Sequence, residues 1–259
     1  MSGAGGRVIR KTVGVELMFG SRKRIGYIAP TVIEVVAYEF YRFAPDGIGL
    51  TGVTCSIDDW RPEEFDKGLA QVGAAATYLG SRGVDFIIHG GGPLVVARGP
   101  DYEDIIVRDV EAKGGVKATT SIRAGMQALR HIGARKIAIA SPYPKRHNDA
   151  LTKHLAINGF EVVRAEGMDL PFKEMQNLPP PDIRKFAAGV LAAAGDCDAL
   201  YLPCPQWQAA QAVEELEHDS GKPVVAYTHA CFFVAFQSMG VTDSIRGHGR
   251  LLASLAGAA

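Results

Sequence analysis

Short apolar runs alternate with longer stretches of helical spacing along most of the chain. The first run, residues 24–29, is closed by Pro30. Glu34–Phe43 places apolar residues three or four positions apart, which predicts a helix. Ile48–Thr54 is predicted as a strand. A second helix is predicted over 61–81, with Pro62 in its first turn and Glu63 and Glu64 at the positive end of its dipole. Residues 84–89 are continuously apolar at their centre, as a parallel strand covered on both faces must be. That run stops at Gly90-Gly91-Gly92-Pro93. The rhythm then returns. A helix is predicted over 121–132, a strand over 136–140, a helix over 145–158 stopped by Gly159, and a strand over 160–165. A proline-bearing loop is expected over 168–181, a helix over 182–194 and a strand over Ala199–Leu202. Residues 206–218 read as helix, 224–227 as strand, 232–239 as helix and 251–255 as a short tail. Ahead of all this, residues 1–22 read as a loose Gly-rich arm with one short strand over 13–19. Strand–helix alternation of this kind means a parallel sheet with helices on both faces, an α/β fold.

The two halves read as one unit used twice. Arg24-Ile25-Gly26-Tyr27-Ile28-Ala29-Pro30 matches Lys136-Ile137-Ala138-Ile139-Ala140-Ser141-Pro142 in basic start, apolar strand and closing proline, at an offset of 112 residues. Asp85-Phe86-Ile87-Ile88-His89-Gly90-Gly91 matches Asp198-Ala199-Leu200-Tyr201-Leu202-Pro203-Cys204 at an offset of 113. Two independent strands at nearly one offset imply two α/β subdomains of about 110 residues each, facing one another. A ligand in such a protein sits between them, at the carboxyl ends of the strands.

Composition narrows the function. The chain has 259 residues, with 28 Lys and Arg against 28 Asp and Glu. Zero net charge and no basic block argue against nucleic acid as the partner. Apolar residues make up 47% and charged residues 22%, which excludes a disordered chain. No stretch approaches the ~18 apolar residues that would span a membrane. Met1-Ser2-Gly3-Ala4-Gly5-Gly6-Arg7 carries no apolar segment to read as a secretion signal, so the cytoplasm is expected.

Cys55, Cys197, Cys204 and Cys231 form no CxxC pair and no cluster at zinc spacing, so no metal site is expected. Three of them, Cys55, Cys197 and Cys231, read as small buried hydrophobes. Cys204 differs, because the repeat superposes it on Gly91. Both follow a buried strand, where a helix can start. A thiol at a helix N-terminus in a cleft is expected to have a lowered pKa and to be reactive. Gly91 opposite would offer space and backbone N–H groups. His89, at the mouth of its strand, and His229, after the last strand, are further candidates for that cleft, while His131, His154 and His218 read as solvated helix positions.

These residues resemble the aspartate/glutamate racemase superfamily, in the branch of maleate cis–trans isomerase and arylmalonate decarboxylase. The match runs through residues 24–30, 84–99, 119–121 into 125–129, 137–143 with Asn148, and 199–204 into 221–225. The resemblance implies two flavodoxin-like subdomains related by a pseudo-twofold axis, with the active site between them. Their implied extents are 23–118 with 229–259, and 119–228, because the last helix of such proteins packs back on the first subdomain. It implies Cys204 in the place of the second catalytic cysteine and Gly91 in the place of the first, as in the decarboxylase. Tyr143 matches a catalytic tyrosine that donates to the substrate carboxylate. Gly90, Gly91 and Gly92 match the donor loop. Pro30, Thr31, Thr120, Ser121 and Asn148 are implied to contact substrate. Two departures stand out. Pro93 and Pro205 occupy positions where the decarboxylase has residues with backbone N–H groups, so two donors are absent.

One thiol without a partner cannot run symmetric two-base racemisation. A single acid suits decarboxylation followed by protonation of an enediolate, and a single nucleophile suits cis–trans isomerisation. Neither needs a cofactor. The expectation is a cofactor-independent lyase acting on a small carboxylate, with a maleate-type isomerase as the alternative and a non-catalytic small-acid binder as a third. A homo-oligomer is expected from the resemblance. His89-Gly90-Gly91-Gly92 also looks like an esterase oxyanion motif, but no downstream G-x-S-x-G elbow exists. No G-x-G-x-x-G follows the first strand, which removes dinucleotide binding.

Overall fold

The computed structural model describes residues 19–257. β1 (Lys23–Ala29), β2 (Ile48–Thr54), β3 (Phe86–His89) and β4 (Ala118–Thr120) form one parallel sheet in the order β2-β1-β3-β4. β5 (Lys136–Ser141), β6 (Glu161–Gly167), β7 (Ala199–Leu202) and β8 (Val224–Ala226) form a second, in the order β6-β5-β7-β8. The same order occurs twice, and so does the register. Ile25 stands opposite Phe86 in the first sheet, and Ile137 opposite Ala199 in the second. Those partners are related by the offsets seen in the sequence, 112 and 113.

Ten α-helices complete the described residues: α1 (Glu34–Phe43), α2 (Pro62–Ser81), α3 (Gly92–Val96), α4 (Tyr102–Gly114), α5 (Ser121–His131), α6 (Lys145–Ile157), α7 (Pro180–Ala193), α8 (Val213–Ser220), α9 (Tyr227–Ser238) and α10 (Gly249–Ala253). Alternation along each strand sends successive side chains to opposite faces. Ile25, Tyr27, Phe86 and Ile88 of the first sheet join Ile137, Ile139, Ala199 and Tyr201 of the second in one core, together with α5 and α9. Ile28 and Ile87 turn the other way and pack with Val72, Ala76 and Leu79 of α2 and Val110 of α4. Ala138, Leu200 and Leu202 pack with Ile183 and Val190 of α7 and Leu216 of α8.

A buried polar knot joins the halves beside this core. Glu103 of α4 is 5% exposed. Its Oε1 accepts hydrogen bonds from Thr120 Oγ1 and Arg123 Nε, both at 3.0 Å, and its Oε2 lies 3.2 Å from His154 Nε2 on α6. His154, expected in solvent, is therefore buried and paired, because the packing of α6 brings it against a carboxylate no local pattern reveals.

Several element boundaries differ from expectation. The strand expected over 13–19 lies, apart from Phe19 in a turn, outside the described residues. The last part of the expected arm is anchored, with Arg22 paired to Asp243 at 2.7 Å. The loop expected over 168–181 contains a 3-10 turn at Phe172–Asn177, and α7 starts at Pro180 because proline is well suited to a first helical turn. The helix expected over 206–218 begins only at Val213, after a 3-10 turn at Ala209–Ala212. Tyr227 belongs to α9 rather than to β8, and His229 therefore sits in a helix. The expected tail is α10 and a closing 3-10 turn, with Leu251, Leu252 and Leu255 buried.

Candidate active site

The carboxyl ends of β1, β3, β5 and β7 deliver four short connections: Pro30-Thr31, Gly90-Gly91-Gly92, Pro142-Tyr143 and Pro203-Cys204-Pro205. Gly91 takes φ +79°, a left-handed conformation that glycine adopts without strain, and caps α3. Gly90 is needed for space. A Cβ there would stand 2.6 Å from Tyr27 Oη and 3.1 Å from Pro30 Cδ. Pro30 thus packs directly on the glycine loop, and Thr31 is half-buried in the bend that follows.

Cys204 is 2% exposed, and its sulfur accepts a hydrogen bond from the Gln206 backbone N–H at 3.4 Å. Residues 205–208 are not helical, so no helix dipole acts on it. Burial dominates and pushes the thiol up to about 12, even though contacts from Gln206, Tyr143 and Trp207 favour the thiolate. The lowered pKa expected from the sequence is thus corrected, because the helix start it relied on is absent. Cys204 is a protonated thiol at neutral pH. Iodoacetamide is accordingly expected to label it slowly at pH 7, with a rate that still climbs with pH beyond 9.5. A plateau below pH 8 would contradict the assignment.

Tyr143 stands beside the thiol and donates through Oη to the Pro203 carbonyl at 3.1 Å, which fixes the connection carrying Cys204. Burial keeps the phenol neutral. Tyr143 is itself held from behind. Ser141 Oγ accepts from the Tyr143 N–H at 3.1 Å and donates to Asn148 Oδ1 at 2.8 Å. Asn148 is therefore a buried brace for the tyrosine turn. Gly167 belongs to the same support, since a Cβ there would collide with the Tyr143 carbonyl.

Between α3 and α6 lies a cavity of about 30 Å³ lined by Gly92, Pro93, Ala97, Ile122, Tyr143, His147, Leu151 and Pro203. That space suits about one water. It adjoins an outer cleft of about 650 Å³ through the shared residues Ala97 and His147. Trp60 walls off the join. Its ring lies 4.5 Å from His147, 4.8 Å from Phe172 and 5.5 Å edge-on from Tyr143. Asp58 and Lys173 clasp beside it at 2.9 Å. Arg61, Arg98 and Arg146 line the outer cleft, the first two paired with Asp59 and Asp66. Trp60 and His147 are site residues that sequence reasoning missed. Burial lowers His147 to about 4, so it is neutral.

Among the described residues no group of His, Cys, Asp and Glu is placed to hold a metal, and no helix is long and apolar enough to cross a membrane. The family model for arylmalonate decarboxylase matches residues 25–252. The chain belongs to that family. Its similarity to the arylmalonate decarboxylase of Bordetella bronchiseptica is 27% identity over 239 residues, 89% of this chain and 97% of that enzyme. It is also 21% identical to the maleate isomerase of Geobacillus stearothermophilus, over 73% of this chain and 78% of that one. Among solved structures, the maleate isomerase Iso of Pseudomonas putida S16 superposes with a TM-score of 0.81 at 19% identity, over 90% of this chain and 99% of its own. A cysteine-to-serine mutant of the Nocardia farcinica maleate cis-trans isomerase, with a covalently bound succinylcysteine intermediate, superposes at 0.82 and 20% identity, over 90% and 98% of the two chains.

As a member of the arylmalonate decarboxylase family, the chain is an enzyme. Not every candidate residue stands at its site. Thr120 is committed elsewhere, capping α5 through the Arg123 N–H and donating to Glu103. His89 follows strand alternation to the face covered by α2 and α4, where burial holds it neutral near 4. His229 has no exposed surface and lies 5.2 Å from the Phe43 ring, with burial lowering it to about 3. Neither histidine lines the cavity. Ser121 does stand near it, with Oγ 3.7 Å from the place of a Cβ on Gly92. Glu39 is a brace the sequence did not reveal. It accepts from Thr228 Oγ1 at 2.5 Å and from the Ala210 N–H at 2.9 Å, tying α1 to α9 and to the turn after Cys204. Burial pushes its carboxyl up to about 8.

Proposed function

We propose that this chain decarboxylates a small carboxylic acid without a cofactor and protonates the resulting enediolate from Cys204. The observation that carries this reading is a single buried, protonated thiol beside Tyr143, at the position the repeat equates with Gly91, which has no side chain to supply a second acid or base. A protonated thiol is the correct state for an acid and the wrong state for a resting nucleophile. The C–C bond to one carboxylate breaks and CO₂ departs. Its electron pair passes to the α-carbon and spreads over the remaining carboxylate as an enediolate. The Cys204 S–H proton moves to that carbon, and the thiolate recovers a proton from water. The buried setting of Cys204 strengthens each hydrogen bond to the developing charge. Gly91 caps α3 and Gly92 opens it, and because Pro93 has no N–H and Leu94 already donates to the Gly91 carbonyl, the N–H groups that α3 leaves unused at this end are those of Gly91 and Gly92. With Arg61 and Arg98 paired to Asp59 and Asp66, Arg146 leaves the outer cleft net positive, which suits the approach of an anion.

The test is proton NMR in heavy water with phenylmalonate and other malonates, maleate and α-amino acids. Deuterium is expected at the carbon that has lost CO₂. Conversion of maleate to fumarate without decarboxylation, or silence across the panel, would overturn the proposal.

A further inference from the structure

The inner cavity has room for about one water, while the cleft outside it encloses about 650 Å³. No more than the reacting end of a substrate fits inside, so whatever else it carries lies in the cleft. We propose that the substrate is a malonic acid whose α-substituent ends in a further carboxylate, and that Arg146 receives that carboxylate in the outer cleft. The proposal rests on the decarboxylase reading above and adds the substrate class.

Charge in the cleft is almost fully matched. Arg61 pairs with Asp59 at 2.9 Å, and Arg98 pairs with Asp66. Lys145, next to Arg146 in the chain, pairs with Asp149 at 2.8 Å. Among the described residues, Arg146 alone of the cleft arginines forms no ion pair. Its Nε donates instead to His147 Nε2 at 3.4 Å. Burial keeps His147 neutral. A neutral imidazole has one bare nitrogen, so this bond places the His147 proton on Nδ1. With Nε engaged, the two terminal NH₂ groups of Arg146 stay available. Side by side, they match the two oxygens of a carboxylate.

His147 also links this guanidinium to the chemistry. It lines the inner cavity beside Tyr143 and Pro203, and the cleft beside Arg146. The Trp60 ring lies 4.5 Å from it and 6.4 Å from Phe65, which gives the middle of the cleft an aromatic wall. Trp60 Nε1 has no hydrogen-bond partner, so ring contacts alone hold the indole at the join and an entering substituent can displace it. A buried acid, an aromatic stretch and an unpaired guanidinium thus follow one another outward from Cys204. A substituent with an apolar body and an anionic end matches that order.

The experiment measures kcat/KM for CO₂ release by the full chain from arylmalonates of two lengths, para-carboxyphenyl and para-carboxymethylphenyl. Each is compared with its neutral carbamoyl isostere, and phenylmalonate is the common reference. The carboxylate of the better-fitting length is expected to be preferred about tenfold over its isostere. Arg146→Gln is expected to bring that ratio close to one. Arg146→Lys is expected to restore part of it, since an ammonium keeps the charge without the fork. Lys145→Gln removes the same charge one residue away and is expected to keep the preference, which separates a contact from long-range attraction. Wild-type ratios near one at both lengths, a ratio that survives Arg146→Gln, or an equal loss in Lys145→Gln would overturn the carboxylate contact while leaving the decarboxylase reading standing. A wild-type protein that decarboxylates none of these malonates would overturn both.

Discussion

Cys204→Ala is expected to lose about 10³-fold or more in turnover while still binding phenylacetate and remaining folded. Cys204 is the acid of the proposed protonation, and neighbouring Tyr143 is engaged with the Pro203 carbonyl. Removing the sulfur leaves the cavity, the glycine loop and the outer arginines in place, so affinity is retained. Cys204→Ser is expected to fall nearly as far, because a hydroxyl is a weaker proton donor than a thiol. The measurement is CO₂ release from phenylmalonate, with calorimetric binding in parallel. Full decarboxylation by the alanine protein would remove Cys204 from the mechanism. Equal binding by wild type and variant, with no turnover by either, would describe a binding protein.

Glu103→Ala is expected to destabilise the protein by roughly 3–5 kcal/mol, the range for removing one member of a buried charged pair. The loss takes the carboxylate from Thr120, Arg123 and His154 together, and only Arg123 keeps a second carboxylate, that of Asp104. Midpoints of urea unfolding at pH 7 measure it, and the accompanying fall in melting temperature is on the order of 10 °C. Glu103→Gln is expected to lose less. Acid sharpens the test. Burial alone would raise the Glu103 carboxyl, but His154, Arg123 and Thr120 hold it below its ordinary value. Its contribution is therefore present above the ordinary carboxylate range and is lost as pH falls through the lower native value. Glu103→Gln flattens that acid limb. An unchanged midpoint for Glu103→Ala would show that the knot is dispensable.

What the sequence made legible was whatever depends on local period and repetition. β1, β3, β5 and β7 were readable because each is short, apolar and buried on both faces. Their two offsets carried the duplicated sheet order. The strand ends then placed Tyr143 beside Cys204, and Gly92, Tyr143 and Pro203 around one cavity. Long-range partners were not legible. Glu103 and His154 are 51 residues apart, Glu39 and Thr228 are 189 apart, and Tyr27 and Tyr227 are 200 apart. No spacing rule connects such pairs. The Cys204 pKa came out inverted because burial under Tyr143 and Trp207 is a tertiary property. α9 began five residues before its expected start because it is buried on every side from Tyr227 to Phe236, and a helix without a polar face gives no amphipathic edge to read.

That all-round burial also fixes the order in which this protein can mature during synthesis. The inner face of the first sheet is covered by α5 and by α9, and α9 is made only after the whole second sheet. As the chain leaves the ribosome, Ile25, Tyr27, Phe86 and Ile88 wait without that lid until residue 238 has emerged. The first half is a repeat unit in sequence but not a unit of cotranslational folding, and its exposed apolar face is a natural client surface for chaperones. A premature stop anywhere before α9 leaves both sheets open, so truncated chains are expected to aggregate rather than persist as half-molecules.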